Sequence, residues 1–434
     1  MAAEQKFFRL YGDTIMLNKG VNSGGVLYLL VERKMFCLQP SAVAVLWDLE
    51  KNLSIEAVAE RTGRTMQDIS ELLTMLQAAG AGSFLPHPYY IEKIRSPNPL
   101  LDLILFRPQV QLQRLHVYLT NRCTMDCQHC GQTSVSRLRA CEGCGRIPKP
   151  SSQNMDLDKS LLKKTLDDAS RLEFQTVTFH VGDSAIVEDL VVDALRAASN
   201  YRFGRIELIT GGGTNGLVLE ALIEVGAFVT FQVYAGDAKQ HDSTCGRVGT
   251  FDEILRSIQS LGEAGMPFAL IYLRADSGRD IGPSLKRLTD LRPDRLMLDR
   301  LVTRAFLDDA HKLRMLSDEC LSVPDVASYL VSLERSCMYG QMSLGHDGCL
   351  YACPFLTDTK LENAEFGISN ILAKEIAQPY WRDGVLSQMD CYECQFRLAC
   401  TLCPSARVVV DTDGVCALAL DASTKNQTPL MIEE

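Results

Sequence analysis

Three cysteines stand in the run Cys123-Thr-Met-Asp-Cys127-Gln-His-Cys130, a C-x3-C-x2-C spacing. Three thiolates on one short loop can hold three irons of a [4Fe–4S] cluster and leave the fourth iron without a protein ligand. An open coordination position marks a reactive metal site rather than a structural one. A second group lies downstream, as Cys337-x11-Cys349-x3-Cys353, Cys391-x2-Cys394-x5-Cys400-x2-Cys403 and Cys416. Its eight thiolates are the number that two fully ligated four-iron clusters require. Zinc would accept the same donors, as a knuckle at the first group and two ribbons at the second. Between the groups, Cys141-Glu-Gly-Cys144 forms a C-x2-C pair. It suits a metal clip, a redox pair, a substrate-side thiol or two free thiols on a loop.

These residues need a scaffold. The first cysteine loop follows Leu115-His-Val-Tyr-Leu119, an apolar, strand-like run. From there to about Asp299, strand-like segments at 115–119, 175–181, 205–210, 227–234, 267–274 and 294–299 alternate with helical patterns. The helices are expected at 158–172, 186–199, 216–225, 251–264 and 281–291. Such alternation implies a parallel sheet with right-handed crossovers. Ligands of such sheets bind at the carboxyl ends of the strands, where the Cys123 loop falls.

The cysteine triplet in this setting resembles the radical S-adenosylmethionine (SAM) superfamily. The resemblance implies an α/β fold with a partial (β/α)6 barrel. It also implies that the open iron chelates SAM and splits it into methionine and a 5′-deoxyadenosyl radical. His129 fills the place of the aromatic that the family sets before its last cysteine. The family's G-G-E-P run after the second strand is here Val181-Gly182-Asp183-Ser184, with a carboxylate one methylene shorter. After the third strand, Thr210-Gly211-Gly-Gly and Thr214-Asn215-Gly216 stand where the family contacts SAM. After the fourth, Gln232-Val-Tyr-Ala235, His241-Asp242 and Gly246-Arg247-Val-Gly-Thr-Phe251 replace S-L-Y-G, a His-Asp/Glu pair and G-x-x-G-S-F. Gln232 retains hydrogen-bonding capacity toward a hydroxyl. By resemblance, His129, Gly182, Asp183, Thr210, Gly211, Asn215, Gln232 and Arg247 are expected SAM contacts. Each has an alternative as an ordinary strand-end residue. Cys245 is the candidate catalytic hydrogen-atom donor, in a loop after the fourth strand. Cys37 and Cys320 read as small apolar core residues.

The downstream cysteines resemble the SPASM domain of radical SAM peptide maturases, including a G-x4-C element from Gly348 to Cys353. The resemblance assigns Cys391, Cys394, Cys400 and Cys416 to an outer auxiliary cluster. It assigns Cys337, Cys353 and Cys403 to an inner one, with Cys349 as the variable fourth ligand. Three [4Fe–4S] clusters in all are implied.

Residues 1–85 read as a small α+β unit. Short strands are expected at Phe7–Tyr11, Thr14–Leu17 and Gly25–Val31, then helices at 42–49, 55–62 and 66–79. This order is winged-helix-like and resembles the PqqD-like element that binds the leader segment of ribosomally made precursor peptides. Strand addition needs a free sheet edge and an apolar groove. Gly25–Val31 or Met35–Leu38 is the expected edge, and Ile69, Leu72, Leu73 and Leu76 the expected groove wall. A DNA-binding winged helix needs excess cations, whereas residues 1–95 hold ten Lys/Arg against ten Asp/Glu.

The expected division is therefore 1–85 recognition unit, 86–110 proline-spaced linker, 111–300 barrel, 301–336 bridge and 337–434 SPASM domain. Net charge of −10 counts against a polyanionic substrate, so no nucleic-acid partner is expected. Sixteen cysteines in 434 residues do not fit a small disulfide scaffold. With no signal-peptide pattern and no apolar run of about 18 residues, a cytoplasmic chain without membrane contact is expected.

The expectation that follows is a maturase of a precursor peptide, reduced by a flavodoxin or ferredoxin. A thioether crosslink from a cysteine sulfur is the first product class. Carbon–carbon or carbon–oxygen crosslinking, epimerisation and anaerobic sulfatase maturation are the enzymatic alternatives. An iron–sulfur winged-helix regulator is the non-enzymatic one.

Overall fold

The computed structural model describes residues 6–18, 24–91, 93, 110–127, 130, 136–137, 155–214, 216–274, 281–302, 322–326, 328–329, 336–354, 359–382 and 395–399. At the N-terminus, β1 (Phe7–Leu10) pairs antiparallel with β5 (Gly82–Leu85). Between them, β2 (Thr14–Asn18), β3 (Gly25–Leu29) and β4 (Lys34–Leu38) form an antiparallel meander. Three helices follow it: α1 (Pro40–Leu49), α2 (Ile55–Thr62) and α3 (Met66–Ala78). Ser54 and Thr65 accept N–H bonds from Ala57 and Asp68, so α2 and α3 start where their caps dictate.

Two expectations for this unit need correction. Gly25–Val31 is not an edge, because β3 is the central strand, paired on both sides. Ile69, Leu73 and Leu76 are fully inside the small core, and of the four groove residues Leu72 alone is half-buried. The sheet's other face is covered too. Val26, Tyr28, Leu30 and Met35 pack against Val323, Tyr329, Phe396 and Ala399. The Tyr28 hydroxyl donates to the Gln395 carbonyl at 2.6 Å. Alternation along β3 explains this, since Leu27 and Leu29 go to one face and Val26 and Tyr28 to the other. The start of the linker is strapped to the same unit. Arg9 donates to the Tyr89 carbonyl, and Lys93 to the Leu10 and Tyr11 carbonyls.

Six parallel strands form the second sheet: β6 (Arg114–Tyr118), β8 (Thr176–Val181), β9 (Arg205–Thr210), β10 (Phe228–Val233), β11 (Phe268–Arg274) and β12 (Arg295–Val302). A short β7 (Ser136–Arg137) joins the far edge at β12. The crossovers carry α4 (Lys159–Arg171), α5 (Glu188–Ser199), α6 (Gly216–Val225), α7 (Ala238–Cys245), α8 (Thr250–Glu263) and α9 (Gly282–Asp290). Helix α7 was expected to be loop, because its polar sequence has no apolar stripe. Asp237 caps its first turn through the Gln240 N–H, and Gly246 ends it at φ +73°.

The C-terminal region continues this sheet. Strand β13 (Gln341–Leu344) runs parallel to β6, and β14 (Cys349–Tyr351) and β15 (Lys360–Asn363) follow antiparallel. Two short helices, α10 (Ile368–Ala373) and α11 (Gln378–Arg382), follow. No helix among the described residues is long and apolar enough to cross a membrane.

Candidate active site

Strand alternation sorts the barrel residues into two populations. Leu115, Val117, Val177, Phe179, Leu208, Val229, Phe231 and Leu270 pack under the helices as one core. The intervening positions face the lumen, and many are polar: His116, Thr178, His180, Glu207, Thr230 and Gln232 are buried. Parallel strands covered by helices ordinarily read as continuous apolar runs, so this polar lumen is a feature in its own right.

At the carboxyl end of β6, Cys123, Cys127 and Cys130 gather around a small buried cluster with Met125, Tyr234, Cys245 and Leu273. The Asp126 N–H donates to the Cys245 carbonyl at 2.9 Å, which ties the cysteine loop to the end of α7. Gly246 follows in the left-handed region, and a Cβ there would meet the Asp126 carbonyl oxygen at 2.8 Å. The Tyr234 hydroxyl reaches the Cys127 sulfur at 3.6 Å, and Gln232 Nε2 donates to the same hydroxyl. Gly182, beyond β8, faces Cys123 so closely that a Cβ would sit 2.7 Å from the sulfur.

Burial pushes the Cys127 thiol up to about 12; the Tyr234 hydroxyl opposes this, and the sulfurs of Cys123, Cys130 and Cys245 add to it. Ionising several thiols in one apolar pocket is unfavourable without a cation to neutralise them. The donor set therefore fits a soft, thiolate-bound metal group.

Asp183 sits beside this pocket and is almost wholly buried. Its carboxylate accepts from the Thr124 hydroxyl, from Arg247 Nη1 at 2.6 Å and from the Ala185 N–H at 3.1 Å. Arg247 also bonds the Thr124 and Thr250 hydroxyls and the Glu253 carboxylate. The motifs after β8 and β10 thus converge on the residue that follows Cys123. Gly211 donates to the Gly182 carbonyl at 2.9 Å, and the Thr210 hydroxyl accepts from the Gly212 N–H. A Cβ at Gly212 would lie 3.3 Å from Asp183 Oδ1.

His241 is completely buried, and burial lowers its pKa to about 4. Its Nδ1 accepts from the Tyr234 N–H at 3.2 Å. His241, Asp242 and Cys245 place one ligand atom each within 4.8 Å of one another. Both Asp242 oxygens, however, accept backbone N–H groups, from Gly249 and Phe251, so this trio reads as the hinge of the α7–α8 turn. Cys245 itself closes α7 and is fully buried against the cysteine loop, not on a free loop as expected.

Of the downstream cysteines, Cys337, Cys349 and Cys353 lie among the described residues. Cys349 opens β14 opposite Asn363 and is buried, which raises its pKa, while Lys360 opposes the shift. Cys353 belongs to the barrel's own core, and Cys337 is exposed. Cys37 is half-buried beside the covered face of the N-terminal sheet. His129, Cys141, Cys144, Asn215, Cys320, Cys391, Cys394, Cys400, Cys403 and Cys416 lie outside the described residues.

The sequence reading missed His116, His180 and Glu207. The signal was present: in Leu115–Tyr118 and Val177–His180, polar residues alternate with apolar ones.

Residues 117–285 match the family model of the Radical SAM superfamily. No curated protein sequence matches the chain. Among solved structures it is similar to Streptococcus suis SuiB bound to precursor peptide SuiA, at 12% identity over 91% of this chain and 95% of that one, with TM-score 0.47. It is also similar to native anSMEcpe with bound AdoMet and Cp18Cys peptide, at 12% identity over 72% and 95%, with TM-score 0.49. Methylornithine synthase PylB shares 17% identity over 44% of this chain and 55% of that one, with TM-score 0.33. The matched stretch, residues 117–285, contains Cys123, Cys127 and Cys130 and the strand ends around them.

Proposed function

We propose that this chain is a radical SAM maturase of a ribosomally synthesised precursor peptide, forming a thioether crosslink from a cysteine sulfur. The observation that carries the radical step is the meeting of Cys123, Cys127, Cys130, Gly182 and Tyr234 at the carboxyl ends of the parallel strands. In this reading Cys123, Cys127 and Cys130 hold a [4Fe–4S] cluster. Gly182, Asp183, Thr210, Gly211 and Gln232, together with His129 and Asn215 by resemblance, would be the residues that hold SAM at that cluster. Bound there, the cluster and SAM supply a 5′-deoxyadenosyl radical.

The chain's own residues do the rest. Arg247 and Thr124 hold the Asp183 side chain in place beside the site. The apolar layer under the helices holds the strands that present these residues in place. The downstream cysteines hold two auxiliary clusters, with Cys349 as the variable ligand of the inner one.

Peptide capture rests on the N-terminal unit. Its sheet has β4 as an edge, and Leu72 of α3 is half-buried against the same small core. A leader segment adds to such an edge through main-chain hydrogen bonds. The equal numbers of acidic and basic residues in 1–95 favour this over DNA binding. The proposed setting is the cytoplasm, with a flavodoxin or ferredoxin as electron donor.

The test is anaerobic. The protein is reconstituted with iron and sulfide, then given SAM, dithionite and the peptide encoded by a neighbouring small reading frame. About twelve irons per chain are expected, one four-iron cluster for each of three ligand sets. Formation of 5′-deoxyadenosine and a peptide lighter by two hydrogens per bond support the reading. Unchanged peptide mass points to epimerisation. Bound zinc and no deoxyadenosine overturn the enzyme reading.

A further inference from the structure

Two histidines in the barrel lumen belong to no motif of the radical site. His116 lies on β6 and His180 on β8, and both side chains are fully buried. His116 Nδ1 and His180 Nε2 are 2.9 Å apart. Tyr118 stacks on the His180 ring, at 4.5 Å between centroids and 12° between planes. On its other side, His116 Nε2 is 2.9 Å from Gln341 Oε1. The Gln341 amide continues the chain, because its Nε2 donates to the Cys337 carbonyl at 3.1 Å.

The far end of this chain fixes its direction. A carbonyl oxygen accepts and never donates, so Gln341 must turn its NH2 toward Cys337 and its oxygen toward His116. That oxygen also accepts, so His116 carries its proton on Nε2. In the neutral ring His116 Nδ1 is then an acceptor, and His180 must donate from Nε2. Every proton of the relay points from the lumen toward Cys337. The far end is held independently: Trp381 Nε1 donates to the Gln341 carbonyl at 3.0 Å, and the Ser336 N–H donates to the Trp381 carbonyl at 2.9 Å.

The relay spans three levels of the barrel. Register places His180 beside Tyr118, His116 beside Thr178 and Ser343, and Gln341 beside Arg114. Gly182, against Cys123, is two residues beyond His180 along the same chain, about 7 Å at strand rise. The relay therefore begins one level beneath the radical site and ends on the backbone of a cysteine in the downstream group.

We propose that His180, His116 and Gln341 are positioning residues that fix the Cys337 backbone and tune the metal centre which Cys337 serves. This rests on the reading of Cys337 as an auxiliary-cluster ligand. Hydrogen bonds to a cluster's sulfurs and the placement of its ligands help set its reduction potential, and the Gln341 bond to the Cys337 carbonyl fixes the backbone that carries that sulfur while bonds in a chain polarise one another. The lumen and the downstream centre are coupled without any shared ligand.

The test uses the full chain with Cys123, Cys127 and Cys130 all replaced by Ser, so that signals of the first cluster are removed. Gln341→Leu cuts both bonds of the amide. Gln341→Glu keeps an acceptor for His116 and loses the donor to Cys337. Both variants are expected to retain iron while shifting the electron paramagnetic resonance spectrum and midpoint potential of the reduced protein, Gln341→Leu with a lower melting temperature because it strands the buried His116 N–H. Nitrogen-15 labelling of the seven histidines reads the tautomers directly. His116 is expected as Nε2–H in the parent and in Gln341→Glu. Unchanged spectrum and potential in both variants, with iron retained, overturn the coupling. An Nδ1–H tautomer at His116 in the parent overturns the relay. If the triple-Ser parent binds no iron at all, the auxiliary-cluster reading fails and the coupling with it. The tautomer result still decides whether the relay exists.

Discussion

Gly182 and Cys123 stand so close that no side chain fits between them: a Cβ on residue 182 would lie 2.7 Å from the Cys123 sulfur. The two come from neighbouring strands, at the carboxyl ends of β8 and β6. Backbone, not side chain, forms that wall of the metal pocket. Gly182→Ala is expected to displace Cys123, at a cost of about 1–3 kcal/mol typical of overpacking. Iron bound by the first cluster and the initial rate of 5′-deoxyadenosine formation should both fall, the latter by roughly tenfold or more. Parent-like values for both would show that the wall yields.

Arg247 and Asp183 form the site's best-buried ion pair, at 2.6 Å. Removing one partner of such a pair typically costs about 3–5 kcal/mol, less where one group is partly exposed, as Arg247 is here. Arg247→Met is expected to lower the melting temperature more than Asp183→Asn, because only the first leaves a buried carboxylate unpaired. The double variant should recover part of the loss. Calorimetry on all three proteins measures this.

Tyr234→Phe deletes the hydroxyl that approaches Cys127 and accepts from Gln232. Iron content should hold, since no ligand is lost. The midpoint potential of the first cluster should change, because hydrogen bonds to the ligand sulfurs set it. Potentiometric titration followed by electron paramagnetic resonance provides the check.

His241 gives stability a pH slope. Its pKa falls from 6.5 to about 4 because burial disfavours the charged ring. A depressed histidine stabilises the fold above its unfolded pKa, and that contribution is lost as pH falls from about 6.5 toward 4. At full effect it is on the order of 3 kcal/mol. The melting temperature should be level above pH 7 and decline below pH 6.5. His241→Phe should flatten that part of the decline; an unchanged slope would show that other groups cause it.

Deleting residues 1–85 is a poor test of peptide capture, because it uncovers Val323, Tyr329, Phe396 and Ala399. The truncated chain is expected to aggregate. Leu72→Glu is the better probe, since Leu72 is half-buried while its neighbours on α3 fill the core. Leader-peptide affinity should drop at least tenfold, with 5′-deoxyadenosine formation in the absence of peptide unchanged. Fluorescence anisotropy with a labelled leader reads the first, and mass spectrometry the second.

Chemistry and chain order were legible from residues alone. Thiolate spacing restricts what a cysteine loop can hold, and apolar periodicity distinguishes strand from helix. Cys123, Cys127 and Cys130, the six barrel strands and the N-terminal meander follow from these local rules. Helix α7 did not, because capping by Asp237 and Gly246 sustains it without an apolar stripe. Juxtaposition was decided by tertiary structure. Gly182 meets Cys123 only because β6 and β8 are adjacent and in register. The His116–Gln341 bond joins residues 225 apart, because β13 returns to pair with β6. Pattern along a chain records which face each side chain takes. Which faces then meet depends on burying every apolar surface of the molecule at once, and no window of sequence contains that condition.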